Sequence, residues 1–120
     1  MQHQVAHAYA QAPKITVSPR TLEADLLTKA ASRLQAIVDG WPQTSADLRD
    51  ALTYNRRLWT IFATSATAEE TPLPQSIKQN IANLGLSIFK QTLALESEPA
   101  PEKLTALIGI NREIAAGLRA

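Results

Sequence analysis

Apolar residues recur along this chain at helical rather than strand spacing. Between Leu73 and Leu95, in LPQSIKQNIANLGLSIFKQTLAL, successive turns of about 100° per residue place Ile77, Ile81, Leu84, Ile88 and Leu95 on one narrow stripe. A second stripe of Ala82, Leu86, Phe89 and Leu93 repeats at i, i+4, i+7 and i+11 on roughly the opposite side. Lys78, Gln79, Asn83, Ser87 and Lys90 fill the thin polar seams between them. A helix with this pattern needs cover on two sides. Either it is the central helix of a bundle, or it buries one stripe at home and leaves the other for a partner.

The flanking segments read as helices too. Ser18 as N-cap and Pro19 at the first helical position open a stretch in which Leu22, Leu26, Leu27, Ala30, Ala31, Leu34, Ile37 and Val38 cover nearly half the wheel. Glu23 falls inside that apolar arc and is placed in the first turn, where a carboxylate favours the helix dipole. Gly40 is expected to end the helix in the left-handed conformation, with Trp41-Pro42 opening the loop. Thr44 or Ser45 then caps a helix that buries Leu48, Ala51, Leu52, Leu58, Trp59, Phe62 and Ala66, and Pro72 and Pro74 close the following loop. After Glu98-Pro99-Ala100-Pro101, a last helix buries Leu104, Leu107, Ile108, Ile114, Ala115 and Leu118. Near the N-terminus, Val5, Ala8, Tyr9 and Ala12 form a weaker amphipathic pattern stopped by Pro13, consistent with a short helix. The expected fold is all-α, a small antiparallel helical bundle of four main helices (about 18–39, 45–67, 74–96 and 102–118) plus a short N-terminal helix. Residues 1–120 form a single helical domain in this reading, with 1–17 as an N-terminal arm and linker.

Composition narrows the function classes. The 120 residues are 45% hydrophobic but only 5% aromatic, which favours helices over a sheet. Twelve basic against eleven acidic residues give a net charge of +1, so no overall field recruits nucleic acid or anionic membrane. Arg49, Arg56 and Arg57 gather on the polar side of the second main helix among acidic neighbours and read as a solvated face. No apolar run approaches the roughly 20 residues that span a bilayer, and the N-terminus lacks the pattern of a secretory signal. With no cysteine, disulfides and thiolate chemistry drop out, and the expectation is a cytoplasmic protein. His3 and His7 stand four apart, but no third ligand is near, so no metal is expected. No phosphate-binding loop, dinucleotide fingerprint, zinc spacing or nucleophile–base pair appears. No enzyme activity, cofactor or small-molecule substrate is expected.

Two asparagines stand out because each lies in the middle of an apolar stripe. Asn55-Arg56 and Asn111-Arg112 occur in similar settings, and a buried amide left unpaired costs about 1–3 kcal/mol. Asn55 and Asn111 therefore read as a structural polar core that fixes helix register, or else as amides that bind the backbone of a docked peptide. The isolated glycines Gly85, Gly109 and Gly117 read as close-packing points within helices.

The blocks SPRTLEADLLTKAASRLQAIVDGW (18–41), ALTYNRRLWTIF (51–62), LPQSIKQNIANLGLSIFKQT (73–92) and LIGINREIAAGLR (107–119) resemble the FlaF family, flagellar biosynthesis regulators of alphaproteobacteria. The resemblance runs in order over almost the whole chain. It departs at Thr21, where a glutamate would complete a capping box with Ser18. The resemblance implies a factor that binds flagellin in the cytoplasm as a secretion chaperone and promotes its synthesis and export, beside an FlbT-type regulator. The alternative it implies is post-transcriptional control of flagellin messenger RNA translation. Terminal segments of unassembled flagellin become helical only in the filament, so their apolar faces need cover until export. On the chaperone reading the candidate contacts are Leu86, Phe89 and Leu93 on the surplus stripe, together with Trp59 and Arg112.

Overall fold

Prolines mark where helices can begin. Pro19 and Pro101 each occupy the first position of a helix, where an amide N–H would have no intrahelical partner, and Pro74 stands just before another. The computed structural model describes residues 19–42 and 45–120, and among them the chain forms α1 (Pro19–Asp39), α2 (Ser45–Ala66), α3 (Gln75–Ser97) and α4 (Pro101–Arg119), with no strand. The bounds fall close to those expected from the apolar periodicity. The expected short N-terminal helix, the Ser18 and Thr44 caps, and His3 and His7 lie outside the described residues.

Short connections make sequential helices neighbours running in opposite directions. On the α1–α2 seam, Arg33 and Ile37 share a groove with Asp47, Asp50 and Ala51, while Leu26 faces Leu58 and Ile61 farther along. The same reversal links α2 to α3, where Leu48 and Leu52 meet Leu95 near one end and Ala63 meets Gly85 toward the other. Ile77 and Ile81 meet Ile114 and Leu118 between α3 and α4. The helices therefore form an antiparallel up-down-up-down bundle in which α1 packs most extensively against α4. Small side chains allow that close approach: Ala24, Ala31 and Ala115 are all fully enclosed.

One core runs through all four helices, built from Leu27, Leu34, Leu52, Trp59, Ile88, Leu95, Leu104 and Leu107 among others. Trp59 and Phe62 meet edge to face with ring centroids 5.3 Å apart. Thr92 sits in this core because its hydroxyl donates to the Ile88 carbonyl one turn back, at 2.7 Å.

Several local expectations are corrected. Gly40 does not close α1 in the left-handed region, since no described glycine has a positive φ. Instead the Gly40 N–H donates to the Ala36 carbonyl at 3.1 Å and the Trp41 N–H to Val38 at 3.2 Å, a tightened last turn. Glu23 lies beyond the first turn of α1, which contains no acidic residue. Gly109 and Gly117 have open space where a side chain would project, so only Gly85 is a packing point. Ile77, assigned to the buried stripe, is 44% exposed, because it faces an open cleft beside Leu73, Ile114 and Leu118.

Candidate functional site

Asn55, Trp59 and Asn111 meet at the centre of the bundle. All three are completely enclosed. The Trp59 indole N–H donates to Asn111 Oδ1 at 2.8 Å, and Asn111 Nδ2 donates to Asn55 Oδ1 at 2.7 Å and to the Leu27 carbonyl at 3.4 Å. This network ties α4 to both α1 and α2, with Asn111 as its hub. Asn55 Nδ2 has no partner, so the set is satisfied at its hub and unsatisfied at its margin. A network enclosed to this degree offers no amide to a docked peptide. Trp59, counted among the candidate contacts, is likewise removed from any surface: its ring fills the α2–α3 interface beside Gly85.

The second apolar stripe of α3 divides unequally. Leu86 and Leu93 are 60% and 66% exposed, two turns apart on the same side. Ala82 and Phe89 are half-buried on the flank of the stripe nearer α2. That flank is fixed by Gly85, which lies against Ala63 and Trp59, and by Lys78, whose ammonium donates to the Ala68 and Glu69 carbonyls at 2.6 and 3.2 Å. The bundle has no fifth helix among the described residues to cover Leu86 and Leu93. Lys90 is exposed on the outer side of the stripe. Arg49 lines the α2–α3 seam with Leu95, and Arg56, two turns on from it, is exposed on the same side of α2. The uncovered stripe thus has Lys90 on its outer margin and Arg56 on its inner one, while Arg49 shares the far end of the α2–α3 seam with the exposed Glu96.

Arg112 does not join this surface. It is exposed on the side of α4 shared by Arg119, whose guanidinium pairs with Asp25 of α1 at 2.8 Å, whereas α3 meets α4 through Ile114 and Leu118. The α3 stripe and Arg112 therefore occupy opposite corners of the bundle. The three arginines of α2 also part company. Arg57 lies with Leu26, Asp50, Tyr54, Leu58 and Ile61 in a groove against α1, about 100° around the helix from Arg56. They make no single basic face of the kind that tracks a phosphate backbone.

Three features of consequence have no counterpart among the expectations from the sequence. Ile61 is 69% exposed in the α1–α2 groove, and its position two residues from Trp59, well outside the buried arc, was a signal available from the wheel. Arg33 stacks on Tyr54 in the same region, 4.5 Å from the ring centroid. Lys78 belongs to a polar seam of the helical wheel, yet it is buried and holds the chain just past the end of α2, which only the tertiary fold reveals. Glu23 is half-buried, and loss of hydration raises its carboxyl pKa, with the nearby Arg20 guanidinium pulling the other way. Its groove is shared with Arg20, Ser65, Thr71 and Arg119 and holds no histidine and no second Asp or Glu side chain. Among the described residues no group of three or more His, Cys, Asp or Glu stands together, and no helix is long and apolar enough to cross a membrane.

Comparison with protein families matches residues 5–118 to the family model described as flagellar protein FlaF. Comparison with curated proteins and with solved structures returned no match.

Proposed function

Because this chain belongs to the FlaF family of flagellar proteins, we propose that it binds an apolar helical segment of flagellin in the cytoplasm and keeps it from associating until export. The observation that carries this reading is the uncovered half of the α3 stripe, where Leu86 and Leu93 stand 60% and 66% exposed. An amphipathic segment laid along α3 would cover both leucines and the outer edge of Phe89, and its carboxylates would meet Lys90 and Arg56.

The magnitudes suit a reversible hold. Fully covering a leucine is worth about 1.5–3 kcal/mol, so the area still open on each of these two leaves roughly 1–2 kcal/mol. Together they supply about 2–4 kcal/mol, against the roughly 8 kcal/mol that a micromolar complex requires. Contacts along the rest of α3 and its charged margins must contribute the remainder. A complex of that strength forms at cellular concentrations and still releases its cargo. Calorimetric titration of purified flagellin into the protein tests the proposal. A dissociation constant of about 10 μM or tighter is expected, and absence of binding in that range overturns it.

A further inference from the structure

A second apolar surface lies at the end of the bundle where α1 begins. There Arg20, Leu73, Ile77, Ile81, Ile114 and Leu118 line a cleft of about 480 Å³ between α3 and α4. It continues into a neighbouring groove that shares Arg20, Pro72 and Leu118 and reaches Pro19. Ile77 is 44% exposed in this cleft, although its place on the wheel matches the core stripe. The chain enters the bundle at this rim, and 18 residues precede it.

We propose that residues 5–12 of the same chain dock in this cleft, with Val5, Ala8, Tyr9 and Ala12 against Leu73, Ile77, Ile114 and Leu118. Four observations point to this occupant. The spacing of these residues puts an apolar side on the segment, matching the apolar lining. Residues 1–13 contain no Asp, Glu, Lys or Arg, so no charge must be stripped of water beside the half-buried isoleucines. The seven residues from Ala12 to Pro19 reach up to about 23 Å when extended, enough to turn back over an adjoining cleft. Finally, the family correspondence begins at residue 5, which makes the segment part of the shared unit rather than an appended tail. A short tether gives an effective concentration on the order of 1 mM, so an intrinsic dissociation constant of about 0.1 mM suffices to hold the segment docked about ten times as often as not. This inference is independent of the flagellin proposal.

The absence of native cysteine makes the test direct. A thiol introduced by Ile77→Cys in the full chain is alkylated with and without the pair of substitutions Val5→Asp and Tyr9→Asp, and Leu86→Cys serves as the control. Docking predicts that the aspartates speed alkylation at position 77 by about tenfold and leave position 86 unchanged. Equal rates at position 77 overturn the proposal. Protection at position 77 that weakens on dilution also overturns it, since the occupant would then belong to a second copy. Because Ile77→Cys alters the cleft itself, methyl NMR of the otherwise native chain gives a second reading. The Ile114 and Leu118 signals should shift when Val5 and Tyr9 become aspartate, and unshifted signals count against docking.

Discussion

Replacing Asn111 by alanine should destabilise the protein far more than replacing Asn55, although both are fully enclosed amides in the same network. Asn111→Ala leaves the Trp59 indole N–H and Asn55 Oδ1 without partners in the core. At about 1–3 kcal/mol for each orphaned group, the cost is roughly 2–6 kcal/mol. Asn55→Ala removes one hydrogen bond worth about 1 kcal/mol, but it also removes Nδ2, which is already unpaired, and Asn111 Nδ2 keeps the Leu27 carbonyl. The cavities left are alike, so they largely cancel in the comparison. The expected gap between the two variants is about 1–5 kcal/mol, against the 5–15 kcal/mol typical of a small domain. Urea unfolding followed by far-ultraviolet circular dichroism measures it. A double-mutant cycle sharpens the test, since the smaller buried ring of Trp59→Phe is common to both backgrounds and the substitution should cost about 1–3 kcal/mol more in the native protein than once Asn111 is alanine. Equal costs for the two asparagines, or a Trp59→Phe cost that is the same in both backgrounds, would refute the hub reading.

Other consequences follow from single side chains. Lys78→Met strips the Ala68 and Glu69 carbonyls of their charged donor and should cost about 1.5–3 kcal/mol in the same urea assay. Gly109→Ala meets open space inside α4 and should stabilise by about 0.5–1 kcal/mol, seen as a rise of a few degrees in the melting temperature. The raised pKa of Glu23 means that the folded state binds its proton more tightly than the unfolded chain does, so this stabilisation is present below the unfolded pKa and is lost as pH climbs through the folded value. Glu23→Gln should therefore melt above the native protein at about pH 7, and the difference should shrink toward pH 4.

The four helices were legible because each carries a long apolar stripe and an explicit stop or start, as with Pro19, Pro74 and Pro101. Side-chain fate within a helix was less so. Trp59 and Leu93 are both large apolar residues at helical spacing, yet one lies in the core at 0% exposure and the other stands 66% exposed, a difference set by which neighbours α2 and α3 find. Arg112, a candidate contact from sequence, lies away from the α3 stripe because α4 pairs most closely with α1. Lys78 illustrates the converse: a charged residue on a polar seam becomes buried because the end of the preceding helix presents it with carbonyls. The mid-stripe amides could be recognised one by one, but their direct hydrogen bond, and the Trp59 indole N–H that joins it at Asn111, required the bundle's diagonal contact between α2 and α4.

The paired substitution Leu86→Asp and Leu93→Asp decides whether the open stripe of α3 is a binding surface for flagellin. Both side chains are more than half exposed, so the helical spectrum and melting temperature should stay close to native. Loss of about 2–4 kcal/mol of apolar contact should weaken flagellin binding by roughly 30-fold to 1000-fold in calorimetric titration. A folded double variant that binds flagellin with native affinity would contradict that role.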